Sequence, residues 1–380
     1  MDNEQWRVCL SDTTVGAEEI AAVTDVLTSR WLSVGSVTGA FEQEFAEAMG
    51  KPDAVAVNNG TAALHLALLA LGVGPGDEVI MPALSFVAAA AMTVAVGATP
   101  VFADVIAPDD LTVDPVDVAA RITKHTRAIV VMHYGGYAAD MTALKGVAAR
   151  HGLLLIEDAA HAPLVRHQEG MLGGLADIGC FSFYATKNLT TGEGGMVVAS
   201  DPDVAARSRA ARSHAMTTST LQRDRLGALT YDVTALGFNY RPSDITSAIG
   251  RAQLAKLPAD RIVRAALVAR YRELLTSVPG LILPFARRTD IDCGHHLFTV
   301  VLPSGIDRDG FRETLQQARI QTSVHYPPTH RLSFYRGDTT LSVTDAITHR
   351  LMSLPLHARM SLADVEYVAE QVSVALDSVS

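Results

Sequence analysis

Leu153-Leu154-Leu155-Ile156-Glu157-Asp158-Ala159-Ala160-His161 is the stretch on which the fold turns. Four apolar residues run without alternation and stop at two carboxylates. A strand with one wet face alternates apolar and polar residues, whereas a strand covered on both faces does not. The run therefore reads as a buried strand of a mainly parallel sheet with helices on both sides. The same signature recurs at 54–57, 78–81, 100–102 and 128–132. Between these runs lie helical patterns at 61–71, closed by Gly72, in the Ala-rich segment after Met81, and at 142–151. Two more strands, 179–183 and 195–199, flank a polar loop that carries Lys187. Helices over 18–28 and up to Gly50 precede the series; helices over 242–256 and 260–275 follow it. The pattern then changes to strand 296–302, helix 308–318, strand 320–325 and helix 362–376. The fold class is α/β, with an N-terminal segment and large domain over 1–256 and a small C-terminal α+β domain over 257–380.

Composition narrows the function. The 380 residues are 48% hydrophobic and 19% charged, enough for a large interior in two domains. A net charge of −10 without a Lys/Arg cluster argues against a nucleic-acid or anionic-membrane surface. Cys9, Cys180 and Cys293 are odd in number and far apart, which suits a reducing cytoplasm and not a disulfide framework. The polar start Met1-Asp2-Asn3-Glu4-Gln5 is unlike a secretory signal. The stretch 83–103 is uncharged and long enough to span a bilayer, but Gly97-Ala98-Thr99-Pro100 breaks it. It reads as a buried helix, a turn and a short strand.

In parallel α/β sheets ligands bind at the carboxyl ends of strands. Three ends carry polar residues. At Asn58-Asn59-Gly60-Thr61, free backbone N–H groups and the helix dipole suit a phosphate, with the Thr61 hydroxyl adding a hydrogen bond. The plainer reading is an Asn-Gly turn with Thr as helix cap. Asp158 would sit on the floor of the cleft, where a buried carboxylate is costly without a positive partner such as a pyridinium N–H; alternatively it caps the next helix. Lys187 lies between two buried strands in Phe181-Ser182-Phe183-Tyr184-Ala185-Thr186-Lys187. It is either solvated or desolvated enough to supply a neutral, nucleophilic amine. The following Gly192-Glu193-Gly194-Gly195 leads into a strand, so it is not a dinucleotide loop, and no P-loop string occurs. The histidines show no metal spacing, and no metal is expected.

Together, from about Val34 to Tyr326, these residues resemble the DegT/StrS family of sugar aminotransferases, which adopt the fold-type-I pyridoxal-phosphate (PLP) architecture. The likeness rests on 59–64, Gly76-Asp77-Glu78-Val79-Ile80, 157–161, Phe181-Ser182-Phe183, 186–189 with 192–195, Gly237-Phe238-Asn239-Tyr240-Arg241, and Val324-His325-Tyr326-Pro327. It implies that Lys187 holds PLP as a Schiff base and that Asp158 pairs with the pyridine nitrogen. Gly60, Thr61 and Ser182 hold the phosphate, Phe86 stacks on the ring, and His161, where many relatives have Gln, contacts the phenolic oxygen. Asn239 reaches the phosphate of a neighbouring subunit, implying a homodimer with shared sites; Arg241 and His325 lie near substrate. The chain departs from the family after His161, at Ala162-Pro163-Leu164-Val165-Arg166, and over 214–233, both of which bear on substrate identity.

The reaction implied moves an amino group from an amino acid, glutamate, through pyridoxamine phosphate to a nucleotide-linked keto-sugar in amino-sugar or secondary-metabolite biosynthesis. The rivals are a keto-cyclitol aminotransferase, a PLP-dependent sugar dehydratase and a PLP-binding regulator. The dehydratase branch replaces the lysine by His, so Lys187 speaks against it; a regulator needs a partner surface that the acidic charge disfavours.

Overall fold

The computed structural model describes residues 5–218, 230–288 and 292–378. Seven strands form one sheet: β1 (Ala54–Val57), β2 (Glu78–Pro82), β3 (Thr99–Ala103), β4 (Thr126–Met132), β5 (Leu154–Asp158), β6 (Ile178–Ser182) and β7 (Gly195–Ala199). Their spatial order is β1-β7-β6-β5-β4-β2-β3. The pairs β2–β3, β2–β4, β4–β5 and β5–β6 are parallel. Only β7 runs the other way, antiparallel to β6 and β1. That reversal follows from the glycine-rich return after Lys187, which joins β6 to β7 by a loop; a parallel neighbour would need a crossover.

Successive side chains along each strand feed different cores. Val55, Val57, Val79, Met81, Ala128, Val130 and Ile156 pack with helices α3 (Gly60–Ala70) and α4 (Ala88–Ala95). Ala54, Ala56 and Val198 meet helix α2 (Ser36–Met49), while Ile80, Ile129, Val131 and Leu155 meet α5 (Met141–His151). Two covered faces leave no place for a polar alternation, which is why the strands read as continuous apolar runs. Each fully buried Val, Ile or Leu stabilises the sheet by roughly 1.5–3 kcal/mol.

The stretch 83–103 divides as its sequence indicates, with α4 followed by β3, and among the described residues no helix is long and apolar enough to cross a membrane. Two helices expected over 242–256 and 260–275 are instead one, α7 (Asp244–Leu275; α6 is Pro202–Ala211), with Pro258 inside it. Proline removes one ladder hydrogen bond, but Gly250, Gln253 and Leu257 before it and Arg264, Leu267 and Tyr271 after it are all buried, so packing holds the helix together. The first half of α7 packs against α1 (Ala17–Ser29) and α2, and the second half belongs to another core.

That second core surrounds the antiparallel pair β8 (Phe298–Val301) and β9 (Leu351–Leu354), with α8 (Arg308–Gln317) and α9 (Leu362–Ser378). Residues near the amino terminus join it: the Arg7 N–H donates to Arg319 O at 2.8 Å, and Val8 bridges Ile320. The strand expected over 320–325 is reduced to isolated bridges at Ile320 and Ser323, because the chain there leaves the small sheet and crosses to the large one. Strand β9, helix α6 and the ribbon Val105–Ala107/Asp110–Val113 were not anticipated from sequence.

Strand β6 lies hard against the loop that precedes it. A Cβ on Gly179 would lie 1.9 Å from the carbonyl oxygen of Gly173. Gly179→Ala should therefore destabilise the protein by about 3 kcal/mol. Gly39→Ala, where nothing lies within 4 Å, should stabilise helix α2 by roughly 0.5–1 kcal/mol. Urea unfolding of the two variants checks this, and an unmoved midpoint for Gly179→Ala would contradict the contact.

Candidate active site

The carboxyl ends of β1, β4, β5 and β6 converge. At the end of β1 the chain turns extended at Asn59, whose side-chain oxygen accepts from the Ala62 N–H at 2.7 Å. Asn59, and not Thr61, is thus the helix cap. Helix α3 begins at Gly60, so the N–H groups of Gly60 and Thr61 have no intrahelical acceptor. A Cβ on Gly60 would stand 2.7 Å from the Ser182 Cβ. Glycine is needed here for close approach, and it brings the α3 N-terminus against the end of β6.

At the end of β5 the two carboxylates point to opposite faces. Glu157 is fully buried and accepts four hydrogen bonds: from Gly173, Leu175 and Ala176 N–H at 2.7, 2.6 and 2.8 Å, and from His133 Nε2–H at 2.9 Å. The tautomer is fixed because His133 Nδ1 accepts the Ala139 N–H at 3.3 Å. Asp158 is also buried, but among the described residues its side chain accepts only from the Ala160 N–H, at 3.1 Å. Burial raises its pKa, opposed by that hydrogen bond and then by Lys187 and His133. The Lys187 amine feels the reverse: burial lowers its pKa to about 8, against the pull of Asp158.

His161 is buried and neutral, its pKa held well below the usual value by burial and then by Lys187. Its Nδ1 accepts the Gly135 N–H at 3.2 Å and its Nε2 lies 2.9 Å from the Tyr326 hydroxyl. Its ring stands 4.2 Å from that of His296. His296 and Asn188 join the site, although neither was assigned a role there from sequence. The Asn188 amide donates to Gly294 O at 2.5 Å and its oxygen faces His296 Nδ1 at 3.1 Å, which ties the residue after Lys187 to the segment entering β8. His325 Nδ1 meets the Ser353 hydroxyl at 2.9 Å, and burial, then Lys187, lowers its pKa to about 4. Phe86 is 53% exposed, with its ring 5.8 Å from that of Tyr326.

The remaining two residues stand apart. Asn239 is exposed, and its backbone bridges Ser213. Arg241 donates to the Ser213 hydroxyl at 3.1 Å and lines a groove with Gly35, Arg209 and Arg212. The Tyr240 carbonyl nevertheless accepts the Asn58 N–H at 2.9 Å, so this segment borders the turn that opens α3. Of the region 214–233, residues 219–229 lie outside the described residues, as do residues 1–4 at the amino terminus. Among the described residues no cluster of His, Cys, Asp or Glu is arranged to hold a metal ion.

Residues 13–373 match the sequence profile of the DegT/DnrJ/EryC1/StrS aminotransferase family. The chain belongs to that family. This aminotransferase is 40% identical over 371 residues to the spore coat polysaccharide biosynthesis protein SpsC of Bacillus subtilis (strain 168), covering 94% of each chain. It is 36% identical over 375 residues to the dTDP-4-dehydro-2,3,6-trideoxy-D-glucose 4-aminotransferase of Saccharopolyspora spinosa, covering 97% of this chain and 96% of the other. Among solved structures it is similar to Spr1654 of Streptococcus pneumoniae in its PMP form, with a TM-score of 0.91, 28% identity, and coverage of 98% and 99% of the two chains. A mainly parallel sheet with one reversed strand and a small second unit is thus the architecture of a PLP-type aminotransferase.

A lysine is nucleophilic only when neutral, and neutral amine accumulates above its pKa. With the value lowered to about 8, the cofactor-free aminotransferase should show Lys187 modification by an amine-reactive reagent rising with a midpoint near pH 8. An ordinary lysine titrates near pH 10.4. Mass-spectrometric mapping of label against pH measures it, and a midpoint above pH 10 at Lys187 would remove the desolvation argument.

Proposed function

We propose that this enzyme transfers an amino group from L-glutamate to the keto group of a nucleotide-linked sugar, in amino-sugar biosynthesis, using PLP. The observation that carries the reading is Asp158, buried at the end of β5 and electrostatically coupled to Lys187 in the loop after the adjacent parallel strand β6, beside the close approach of Gly60 and Ser182.

The residues present fit that cofactor. The Gly60–Ser182 approach leaves backbone N–H groups and two hydroxyls, of Thr61 and Ser182, for a phosphate. Asp158 is a buried carboxylate with a single hydrogen bond, which a pyridinium N–H would complete. When bound, PLP supplies an electron sink and carries the amine between the two substrates. Asp158 would hold a proton on the cofactor's ring nitrogen. Lys187 would attach the cofactor, and its free Nζ would move the proton from the donor Cα to the cofactor carbon two bonds away, across the shared nitrogen. Phe86 would cover the ring and His161 would contact its phenolic side, while Arg241 and His325 would border the substrate. The large unit 1–256 holds the cofactor and the small unit 257–380 closes the cleft.

The nucleotide-sugar assignment draws on the relative that acts on a dTDP-linked keto-sugar. Lys187 argues against a dehydratase, whose branch carries His at that position. The test is stepwise: glutamate alone should convert the bound cofactor to its amine form, and a keto-sugar should then restore it. Keto-cyclitols belong in the same acceptor panel, and their preference over every keto-sugar would overturn the reading. Asp158→Asn should retain PLP yet slow the glutamate step about 100- to 1000-fold, the usual effect of losing one electrostatic partner of the transition state. Near-normal rates in the folded variant would refute its role.

The reading also makes the enzyme a homodimer, with Asn239 completing the partner's phosphate site. Support comes from its exposure within its own chain, beside the turn that opens α3. A two-fold dimer has two equal sites. Mixing inactive Lys187→Ala with inactive Asn239→Asp under subunit exchange should restore part of the activity, because one site of the heterodimer escapes both lesions. Heterodimers that form but stay inactive would place Asn239 within its own subunit's chemistry or outside it altogether.

A further inference from the structure

Lys187 lies in the tip of the loop that joins β6 to β7. The limbs of this loop are zipped together: the Phe183 N–H donates to Gly194 O at 2.8 Å, and the Thr191 N–H donates to Phe183 O at 2.9 Å. Within the tip, the Lys187 N–H donates to Tyr184 O at 2.9 Å. Leu189 belongs to the core that holds Phe41, Phe45 and Phe183. Between Lys187 and Leu189, the buried side chain of Asn188 links the tip to the segment entering β8.

The direction of that link follows from its partners. Gly294 O can only accept, so the Asn188 atom 2.5 Å from it is the amide nitrogen, and the amide oxygen faces His296. That oxygen also only accepts, so His296 Nδ1, 3.1 Å away, carries the ring proton. Both partners are themselves fixed. The Gly294 and His296 N–H groups donate at 2.9 Å to Gly136 O and Gly135 O, in the turn after β4. A Cβ on Gly294 would lie 2.6 Å from His161 O, just beyond β5. From α7, Arg264 donates to His295 O at 3.2 Å. Residues 294–296 are thus a bracket held from three sides, and the loop tip rests on it through Asn188.

The ionisable groups around the Lys187 amine are Asp158 at the end of β5, His161 just beyond it, His296 in the bracket, and His325. Burial keeps all three imidazoles neutral. Asp158 favours the ammonium form, and burial outweighs it. Exclusion of water from Nζ is therefore what brings the neutral amine within reach, and it depends on where the tip is held.

We propose that Asn188 is a positioning residue for Lys187: through Gly294 and His296 it fixes the loop tip, so that the lysine amine is held out of water beside Asp158. The proposal rests on the role given to Lys187 in the functional reading above.

The experiment compares the full-length wild type with Asn188→Ala, His296→Leu and His296→Gln. PLP-loaded wild type is reduced with borohydride and mapped, and the label should fall on Lys187. In separate samples freed of cofactor, Lys187 modification by an amine-reactive reagent is measured against pH, with circular dichroism to check folding. Asn188→Ala and His296→Leu should raise the midpoint from near pH 8 by about one pH unit or more, toward that of an ordinary lysine. His296→Gln, whose amide N–H can still donate to Asn188, should stay within about 0.3 pH unit of the wild type. A merely structural Asn188 would lower the urea midpoint of Asn188→Ala and leave its labelling midpoint where it was, and that result overturns the proposal. Where Asn188→Ala fails to fold, the two His296 variants decide, since they are of similar size and differ in the donor: equal labelling midpoints overturn it. Borohydride label on another lysine overturns the functional reading and this inference together, whereas label on Lys187 with unmoved labelling midpoints overturns the inference alone.

Discussion

A carboxylate taken out of water costs several kcal/mol unless donors or a cation replace its hydration, and β5 ends in two such groups side by side. The pleat sends them to opposite faces, and the protein treats them differently. Glu157 is saturated by three backbone N–H groups and His133, which fixes the loop before β6 and the turn after β4 around it. Asp158, on the face shared with α3, is left with one hydrogen bond. The first carboxylate sets the geometry so that the second can remain underused. A buried charge with spare acceptor capacity is what a cationic ring nitrogen requires, and the lysine opposite is desolvated by the same walls.

Neutral histidines complete that environment. His161, His296 and His325 are all held below their ordinary pKa by burial, and each is also disfavoured as a cation by Lys187. With few competing positive charges, Asp158 has Lys187 as its principal charged partner. The fixed tautomers of His133 and His161 turn these rings into directional donors, and electrostatic preorganisation of this kind is commonly the largest part of enzymatic rate enhancement.

Much of this was legible in the sequence because it is local. Each of the seven strands of the large sheet announced itself as an apolar run, and Asp158 and Lys187 stood out as polar residues at the end of one such run and in the loop after another. The two-core alternation along the strands was latent in the same runs. What escaped the reading depends on contacts far apart in sequence. Asn188 and His296 meet across more than a hundred residues, and His161 reaches Tyr326 across a longer gap. Glu157 reads as one more strand-end acid until the loop 173–176 folds back on it. The sequence reads as separate helices over 242–256 and 260–275, and tertiary packing joins them into one across Pro258. The segment 320–325 has strand-like composition, but its neighbours anchor it across the cleft.

Helix α7 carries a mechanical consequence. At 1.5 Å per residue its 32 residues make a rod about 48 Å long, embedded at one end among α1 and α2 and at the other in the core around β8 and β9. A beam clamped at both ends transmits displacement and does not fold like a hinge. Relative movement of the two cores must flex it, and the softest place is the turn at Pro258, where the ladder lacks a rung. The proline that lies between the two helices read from the sequence is therefore the compliance point of a continuous lever.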